Sequence, residues 1–118
     1  MSRTDLIESS GVERSEFAAD PEMRDIVALF VDDLPRRALG LRVAMDSGDR
    51  DRLRTLAHQL RGSAGGYGFP AIGNAAANLE ILILSGAGDE RIGLAVERLV
   101  HRCRSAVRPG RAGDFVVE

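Results

Sequence analysis

The sequence is poor in the residues that build several common kinds of site. Cys103 is the single cysteine, tryptophan is missing, there is one tyrosine, and 16 basic residues stand against 18 acidic ones. A single cysteine excludes an intrachain disulfide framework and a cysteine-rich zinc site. The net charge of −2 and the scarcity of aromatic rings disfavour a general nucleic-acid binder, which needs a basic excess and stacking platforms.

Long apolar runs are missing as well. The purely apolar stretches span a few residues each, far short of a membrane helix, and residues 1–11 are polar and lack the apolar core of a signal peptide. We therefore expect a cytoplasmic protein that binds neither membrane nor nucleic acid. A chain of 118 residues, 44% of them hydrophobic, predicts one compact domain with a single core.

Helical periodicity dominates what the sequence does contain. Apolar residues recur at steps of three and four in four segments, and none of these segments alternates as a strand would. The first segment is expected to begin with Asp20 as N-cap and Pro21 as first helical residue, and to end near Ser47, with Gly48 as its C-terminal break. Pro35 predicts either two short helices or one kinked helix; we favour one kinked helix because the apolar stripe keeps its phase.

The other three segments are bounded by equally clear signals. Asp49 is expected to cap the second helix, which runs into a glycine cluster; the third runs from Pro70 to the sequence SGAG, and the fourth from Asp89 to Pro109. These elements predict an all-α fold, an antiparallel up-down-up-down four-helix bundle over residues 20–107. We expect a short extra helix over Val12–Ala19, within an N-terminal segment of residues 1–19, and a flexible tail over residues 108–118. Polar outer faces predict a monomer.

The second helix carries a histidine away from its apolar stripe. With about 100° per residue, His58 lies about 140° from Leu53, and Gly62 and Gly65 lie at about 180° and 120°, on either side of the histidine. The stripe itself consists of Leu53, Leu56, Ala57, Leu60 and Ala64. Glycine inside a helix costs about 1 kcal/mol relative to alanine, so these two positions need a reason. Bare positions beside His58 would let a bulky partner or a phosphoryl group reach the imidazole.

Two arginines share this face. Arg54 and Arg61 lie at about 100° and 80° on the same wheel, where guanidinium groups could attract phosphate oxygens. An exposed histidine with a free ring nitrogen can act as a nucleophile. The plain alternative, a surface histidine followed by a Gly-Gly helix end, stays open on spacing alone, although it does not explain Gly62.

The stretch AHQLRGSAGGYGF closely resembles the phosphoacceptor motif of histidine-containing phosphotransfer (HPt) domains, which commonly reads H-x-L-K-G-S-A before small residues and a glycine. On that pattern His58 takes the position of the phosphorylated histidine. The other matching positions are Leu60, Gly62, Ser63, Ala64 and Gly68. The likeness extends through LFVDDLPRRALGLRVAMDSGD and NAAANLE and covers roughly residues 20–107. Arg61 stands where the family usually has lysine, which retains the charge but changes its geometry.

The resemblance implies a phosphorelay intermediate. His58 would accept a phosphoryl group from an aspartate of one response-regulator receiver domain and pass it to the aspartate of another, so that the chain acts as a phosphocarrier, a histidine phosphotransferase. The implied partners are receiver domains and a sensor or hybrid histidine kinase. No nucleotide-binding motif is present, so autophosphorylation from ATP is not expected. We expect no cofactor in this chain and Mg²⁺ in the partner receiver domain.

Docking is expected to involve residues around His58. Tyr67 and Phe69 could form its apolar rim or cap the core at the bundle end, and Arg36 and Arg37 could form a basic rim or a solvated helix face. The alternative function is an HPt-like binding module that inhibits or scaffolds a receiver domain or sensor kinase without chemistry.

Two further residues are expected to be ordinary. His101 lies off the apolar stripe of the fourth helix, but its neighbours clear no path to it, so a plain surface role is favoured. Two histidines on different helices without Glu-x-x-His pairs also disfavour a metal site of the kind built into helical bundles. Cys103 falls on the stripe and is predicted to be a small buried hydrophobe.

Overall fold

A computed structural model of the protein describes residues 12–110, which form four helices. They are α1 (Arg24–Asp46), α2 (Arg50–Gly66), α3 (Pro70–Leu84) and α4 (Asp89–Ser105). Consecutive helices pack side by side and α4 closes against α1. The described residues contain no β-strand, only an isolated bridge between Glu13 and Ala106. This arrangement confirms the predicted all-α four-helix bundle.

The core is made from the apolar stripe of each helix. Its largest fully buried side chains are Leu34, Leu41, Leu53, Leu60, Phe69, Ile72, Leu79, Ile92 and Leu99. The helix α1 continues through Pro35, so the favoured prediction of one helix is correct. Gly73 of α3 lies close to α2, because a Cβ placed on it would be 3.5 Å from the carbonyl oxygen of Arg61. This close approach lets side chains on the neighbouring faces of α2 and α3 meet.

The helix starts follow local hydrogen bonding. The Asp49 carboxylate accepts a hydrogen bond from the Arg52 amide at 3.0 Å and caps α2 as predicted. Asp20 accepts from the Glu22 amide at 2.9 Å, but residues 21–23 form turns and α1 begins at Arg24, later than expected. Asp20 therefore organises the turn that leads into the helix.

The predicted extra helix over Val12–Ala19 is wrong. The segment pairs with the end of α4 through the Glu13 amide and the Ser105 carbonyl, and then forms turns over residues 16–19. The buried Ser15 hydroxyl accepts from the Phe17 amide at 3.0 Å and donates to the Tyr67 carbonyl at 2.6 Å. A serine that bonds nearby backbone in this way competes with helix formation.

Gly68 receives this N-terminal segment at the α2–α3 turn. Its φ of +85° is in the left-handed region that favours glycine, and a Cβ there would lie 2.6 Å from Ser15 Oγ and 2.9 Å from the Glu16 amide nitrogen. Glycine is therefore favoured at position 68 for two reasons: the backbone angle φ is positive, and the segment before α1 leaves no room for a side chain.

Helix α4 ends at Ser105, and the structure describes the five residues that follow it. Residues 106–110 are not helical, and Arg108 pairs with Asp32 of α1 at 3.2 Å. Most of the predicted flexible tail, residues 111–118, lies outside the described residues, as do residues 1–11. No helix between residues 12 and 110 has the length and apolar character needed to cross a membrane.

Candidate functional site

Helix α2 presents His58 to solvent. The side chain is 61% exposed, whereas the neighbouring Ala57 and Leu60 are buried in the core. This confirms the exposure that the helical wheel predicts for His58. The ring is therefore held on a rigid helix while one edge remains accessible.

A carboxylate from the next helix holds the other edge of the ring. Glu80 of α3 places Oε2 2.9 Å from His58 Nδ1, and its second oxygen accepts a hydrogen bond from Arg61 Nη1 at 3.0 Å. Glu80 itself is only 8% exposed. A buried carboxylate needs partners, and here it has a cation on one oxygen and an imidazole on the other.

This contact selects the form of the imidazole. An ionised carboxylate only accepts hydrogen bonds, so a hydrogen bond at this contact requires the imidazole form that carries a proton on Nδ1. In neutral histidine the proton on Nδ1 leaves Nε2 with a free lone pair. The pair thus directs the nucleophilic nitrogen of His58 outward.

Sequence reasoning missed the role of Glu80. The residue lies in the segment NAAANLE, where the glutamate follows buried Leu79 and occupies the edge of the α3 apolar stripe. A glutamate at a largely buried helical position was the available signal, since such residues are rarely buried unless paired.

The glycines leave open space on the His58 face. A Cβ placed at Gly62, Gly65 or Gly66 would meet no side chain and no distant backbone of the described residues within 4 Å. The fold between residues 12 and 110 therefore does not demand glycine at these positions for packing. Their bare surface therefore leaves room beside His58 that no described side chain fills.

An open cleft adjoins His58 on the side of α1. It has a volume of about 730 Å³. Its lining consists of Met23, Ile26, His58, Gln59, Gly62, Ser63, Gly66 and Tyr67. Apolar side chains from the start of α1 thus face bare glycine positions of α2 across a shallow depression that ends at the histidine.

The two aromatic residues considered for the rim, Tyr67 and Phe69, take different positions in the structure. Tyr67 is partly exposed, stacks on Phe30 with ring centroids 4.8 Å apart and lines the cleft. Phe69 is 1% exposed and lies in the core, so of its two predicted positions the structure supports the cap on the core. Its position next to Pro70 at the start of α3 turns the ring into the bundle, where burial of the large apolar ring is favourable.

The predicted basic groups take different places. Arg61 donates a hydrogen bond to Glu80. Arg54 lies one turn before His58 and is exposed on the same helix. Arg36 and Arg37 of α1 both donate to the Asp33 carboxylate, at 2.7 and 2.9 Å. The hydrogen bond from Arg36 lowers the pKa of Asp33, and the Asp33 carboxylate raises the pKa of Arg36. Half of the positive charge of this pair is therefore neutralised within α1.

The remaining candidates lie apart from the site. His101 is exposed on α4 beside Arg98 and Asn78, in a separate groove between α3 and α4. Cys103 is buried, as predicted, and burial raises its pKa to about 12. No cluster of three or more His, Cys, Asp or Glu side chains suited to a metal ion occurs among residues 12–110.

Comparison with known families gives a direct match. The family model described as the Hpt domain matches residues 25–108, a range that contains His58, Arg61 and Glu80. Curated proteins and solved structures give no match to this chain. The matched range extends from the first turn of α1 past the end of α4, well over half of the sequence. The family works in histidine phosphotransfer within phosphorelays. The chain belongs to the Hpt domain family.

Proposed function

We propose that His58 is the phosphoacceptor of a phosphorelay intermediate, which takes a phosphoryl group from the aspartate of one receiver domain and transfers it to the aspartate of another. The observation that carries this proposal is the pairing of an exposed His58 ring with the buried Glu80 carboxylate, 2.9 Å from Nδ1. That pairing directs a nucleophilic nitrogen to solvent on a helix face with bare flanks.

The transfer requires no proton movement in this arrangement. The lone pair of His58 Nε2 attacks phosphorus, the bond between phosphorus and the aspartate oxygen breaks, and the aspartate leaves as a carboxylate. Nδ1 keeps its proton, so the phosphorylated ring carries a positive charge, which the nearby Glu80 oxygen balances. Transfer to the second receiver reverses the same steps.

The arginines supply charge at the phosphoryl group. Phosphoryl transfer depends mainly on positioning and on neutralising the charge on the phosphoryl oxygens. The Arg61 guanidinium has five N–H donors, of which Nη1 donates to Glu80, and the planar group can bond a carboxylate and a phosphoryl oxygen together. Arg54 adds a second positive charge one turn away. The Mg²⁺ and the acidic residues that bind it are expected in the receiver domain.

The bare glycine positions support access by a folded partner. A receiver domain must bring its phosphorylated aspartate to within about 3–3.5 Å of Nε2, so its surface lies against α2 on both sides of His58. Gly62 and Gly65 have no side chain to obstruct that approach, and the cleft that adjoins His58 offers apolar contacts beside it.

This role implies the wider setting. We propose receiver domains and a sensor or hybrid histidine kinase as partners, a cytoplasmic location where those domains meet, and a monomeric bundle. Arg36 and Arg37 could contribute to the edge of the docking surface, although their shared bond to Asp33 reduces their net charge.

The direct test is transfer from a phosphorylated receiver domain. The protein is incubated with receiver domains of its own organism carrying ³²P-aspartyl phosphate, and the label on this chain is tested for loss in acid and retention in base, as expected for phosphohistidine. We expect the His58→Gln variant to accept no label and the His101→Gln variant to accept it normally. Labelling of His58→Gln would exclude this residue as the acceptor, and receiver binding without labelling of the unmodified protein would favour the non-catalytic binding module.

A further inference from the structure

Two large aliphatic side chains follow Glu80 on α3 and are exposed to solvent. Ile81 is 60% exposed and Leu84 is 65% exposed. We call this pair the α3 shelf. Exposed aliphatic residues occur singly on most proteins, so the position of this pair relative to His58 decides whether it has a use.

The register between α2 and α3 places the shelf beside the histidine. Gly73 of α3 lies next to Gly65 of α2, and Glu80 of α3 contacts His58 of α2. From the first contact to the second, the position in α3 rises by seven residues while the position in α2 falls by seven. The two helices are therefore antiparallel in this register. One turn further along α3, Leu84 comes opposite position 54 of α2.

The shelf lies on the outer side of Glu80. With about 100° per residue, Leu84 and Ile81 lie about 40° and 100° from Glu80, in the direction away from the buried Leu79 and Ala76. Glu80 marks the boundary between core and surface, and the shelf begins immediately beyond it. A partner that covers His58 therefore extends over the shelf as soon as its contact reaches one helical turn, about 5.4 Å, beyond the histidine.

We propose that the α3 shelf is a docking surface for the receiver domain and contributes to the choice between receivers. The inference rests on the proposed phosphotransfer at His58. Two features favour a receiver over other occupants: the shelf is continuous with the His58 face, and the adjoining Arg54 matches the acidic residues that must surround a phosphorylated aspartate and its Mg²⁺. A receiver with apolar residues beside its acidic site would bury Ile81 and Leu84 as it docks.

Other exposed aliphatic residues supply controls. Leu94 is 54% exposed on α4, a helix that packs against α1 and α3 and makes no close packing with α2 among the described residues. Substitution of Leu94 removes a comparable exposed side chain at a place that a partner on His58 does not cover. Since all three residues are exposed, serine substitutions are expected to preserve the fold, which circular dichroism and the thermal midpoint check.

The test compares a docked donor with one that needs no docking. The donors are a phosphorylated receiver domain and phosphoramidate, a small molecule that transfers its phosphoryl group to His58 Nε2 with release of ammonia. For the Ile81→Ser/Leu84→Ser variant we expect kcat/KM from the receiver to fall about tenfold, mainly through KM, because the substitutions remove apolar surface that docking would bury. Phosphoramidate labelling should be unchanged, and Leu94→Ser should match the unmodified protein with both donors.

Each outcome bears on a defined claim. Unchanged receiver-dependent kcat/KM in the double variant would contradict the proposal that the α3 shelf docks the receiver, while the proposed function would stand. An equal loss in Leu94→Ser would also overturn it, because the effect would not be local. If the unmodified protein accepted phosphate from phosphoramidate but from no receiver domain, the proposed function would be contradicted. The docking role of the α3 shelf would then be contradicted as well, because it rests on that function.

Discussion

Replacement of Glu80 tests the central feature of the site. Glu80→Ala removes the carboxylate that accepts from His58 Nδ1 and Arg61 Nη1, at 2.9 and 3.0 Å. Glu80→Gln keeps the size of the side chain and one accepting oxygen, but it loses the negative charge and places an amide donor toward one of the two partners. The two substitutions therefore separate the hydrogen bond to the ring from the charge that balances it.

The structure gives the expected size of the effect. Hydrogen bonds to charged groups contribute about 1.5–3 kcal/mol, and the 61% exposure of the His58 side chain lets water replace part of that contribution. A loss of about 1–2 kcal/mol of transition-state stabilisation corresponds to about 5–30-fold in rate. We expect Glu80→Ala to show this loss in kcat and Glu80→Gln to be intermediate.

The stability of the bundle should change much less than the rate. Both partners of Glu80 are exposed enough to be hydrated when the carboxylate is removed, since the His58 and Arg61 side chains are 61% and 49% exposed. The free energy of unfolding in urea is therefore expected to change by less than about 1 kcal/mol. A large loss of stability would instead assign Glu80 a structural role.

Two measurements examine the mechanism itself. Transfer from a phosphorylated receiver domain gives kcat and KM, and ¹⁵N chemical shifts of the imidazole report which ring nitrogen of His58 carries the proton. In the unmodified protein the Nδ1–H form should dominate, and in Glu80→Ala the Nε2–H form should gain population. Glu97→Gln, a change in an exposed α4 glutamate paired with Arg42, is the matched control. Wild-type transfer by Glu80→Ala, or an unchanged tautomer ratio, would refute the positioning role.

Three further predictions concern the glycines and the cysteine. Gly62→Leu should remain folded by circular dichroism but lose receiver-dependent transfer, since no packing in the described residues opposes a side chain there; normal transfer would contradict the need for a bare surface. Gly68→Ala should lower the free energy of unfolding by about 2 kcal/mol or more, because its φ is +85° and its Cβ would lie 2.6 Å from Ser15 Oγ; an unchanged thermal midpoint would show that the N-terminal segment yields easily. Cys103, whose pKa burial raises to about 12, should react slowly with iodoacetamide at pH 8 and rapidly in denaturant, and fast labelling of the native protein would contradict its burial.

The fold could be predicted from the sequence because each helix carries its own signals. The Asp49 cap, Pro70 at the start of α3 and the apolar steps of three and four all act within a few residues of one another. The helix predicted over Val12–Ala19 is wrong because that segment is governed by distant residues and not by local signals. Its conformation depends on Tyr67 and Ser105, which are distant in the sequence.

The site was predictable only in part, and the division has a physical cause. A helical wheel describes one helix, so it could place His58, Gly62 and Gly65 on one exposed face of α2. The pairing with Glu80 depends on the register between two helices, which no single wheel contains. Phe69 shows the same limit, since its burial depends on how the α2–α3 turn directs the ring into the bundle.

The pairing also changes the meaning of the arginine at position 61. From the sequence, Arg61 is a charge that faces a phosphate, and its departure from the usual lysine concerns that contact alone. In the structure it is also the cation that pairs with the buried Glu80 carboxylate, at a distance of 3.0 Å. In the proposed phosphotransfer both tasks would meet, because Glu80 would balance the charge of the phosphorylated ring while Arg61 balances the phosphoryl oxygens. A planar guanidinium can bond both partners from a fixed position, whereas an ammonium group acts as a single point charge. Arginine at this position is therefore compatible with the proposed phosphotransfer, in which it would couple the charge on the phosphoryl group to the residue that orients the histidine.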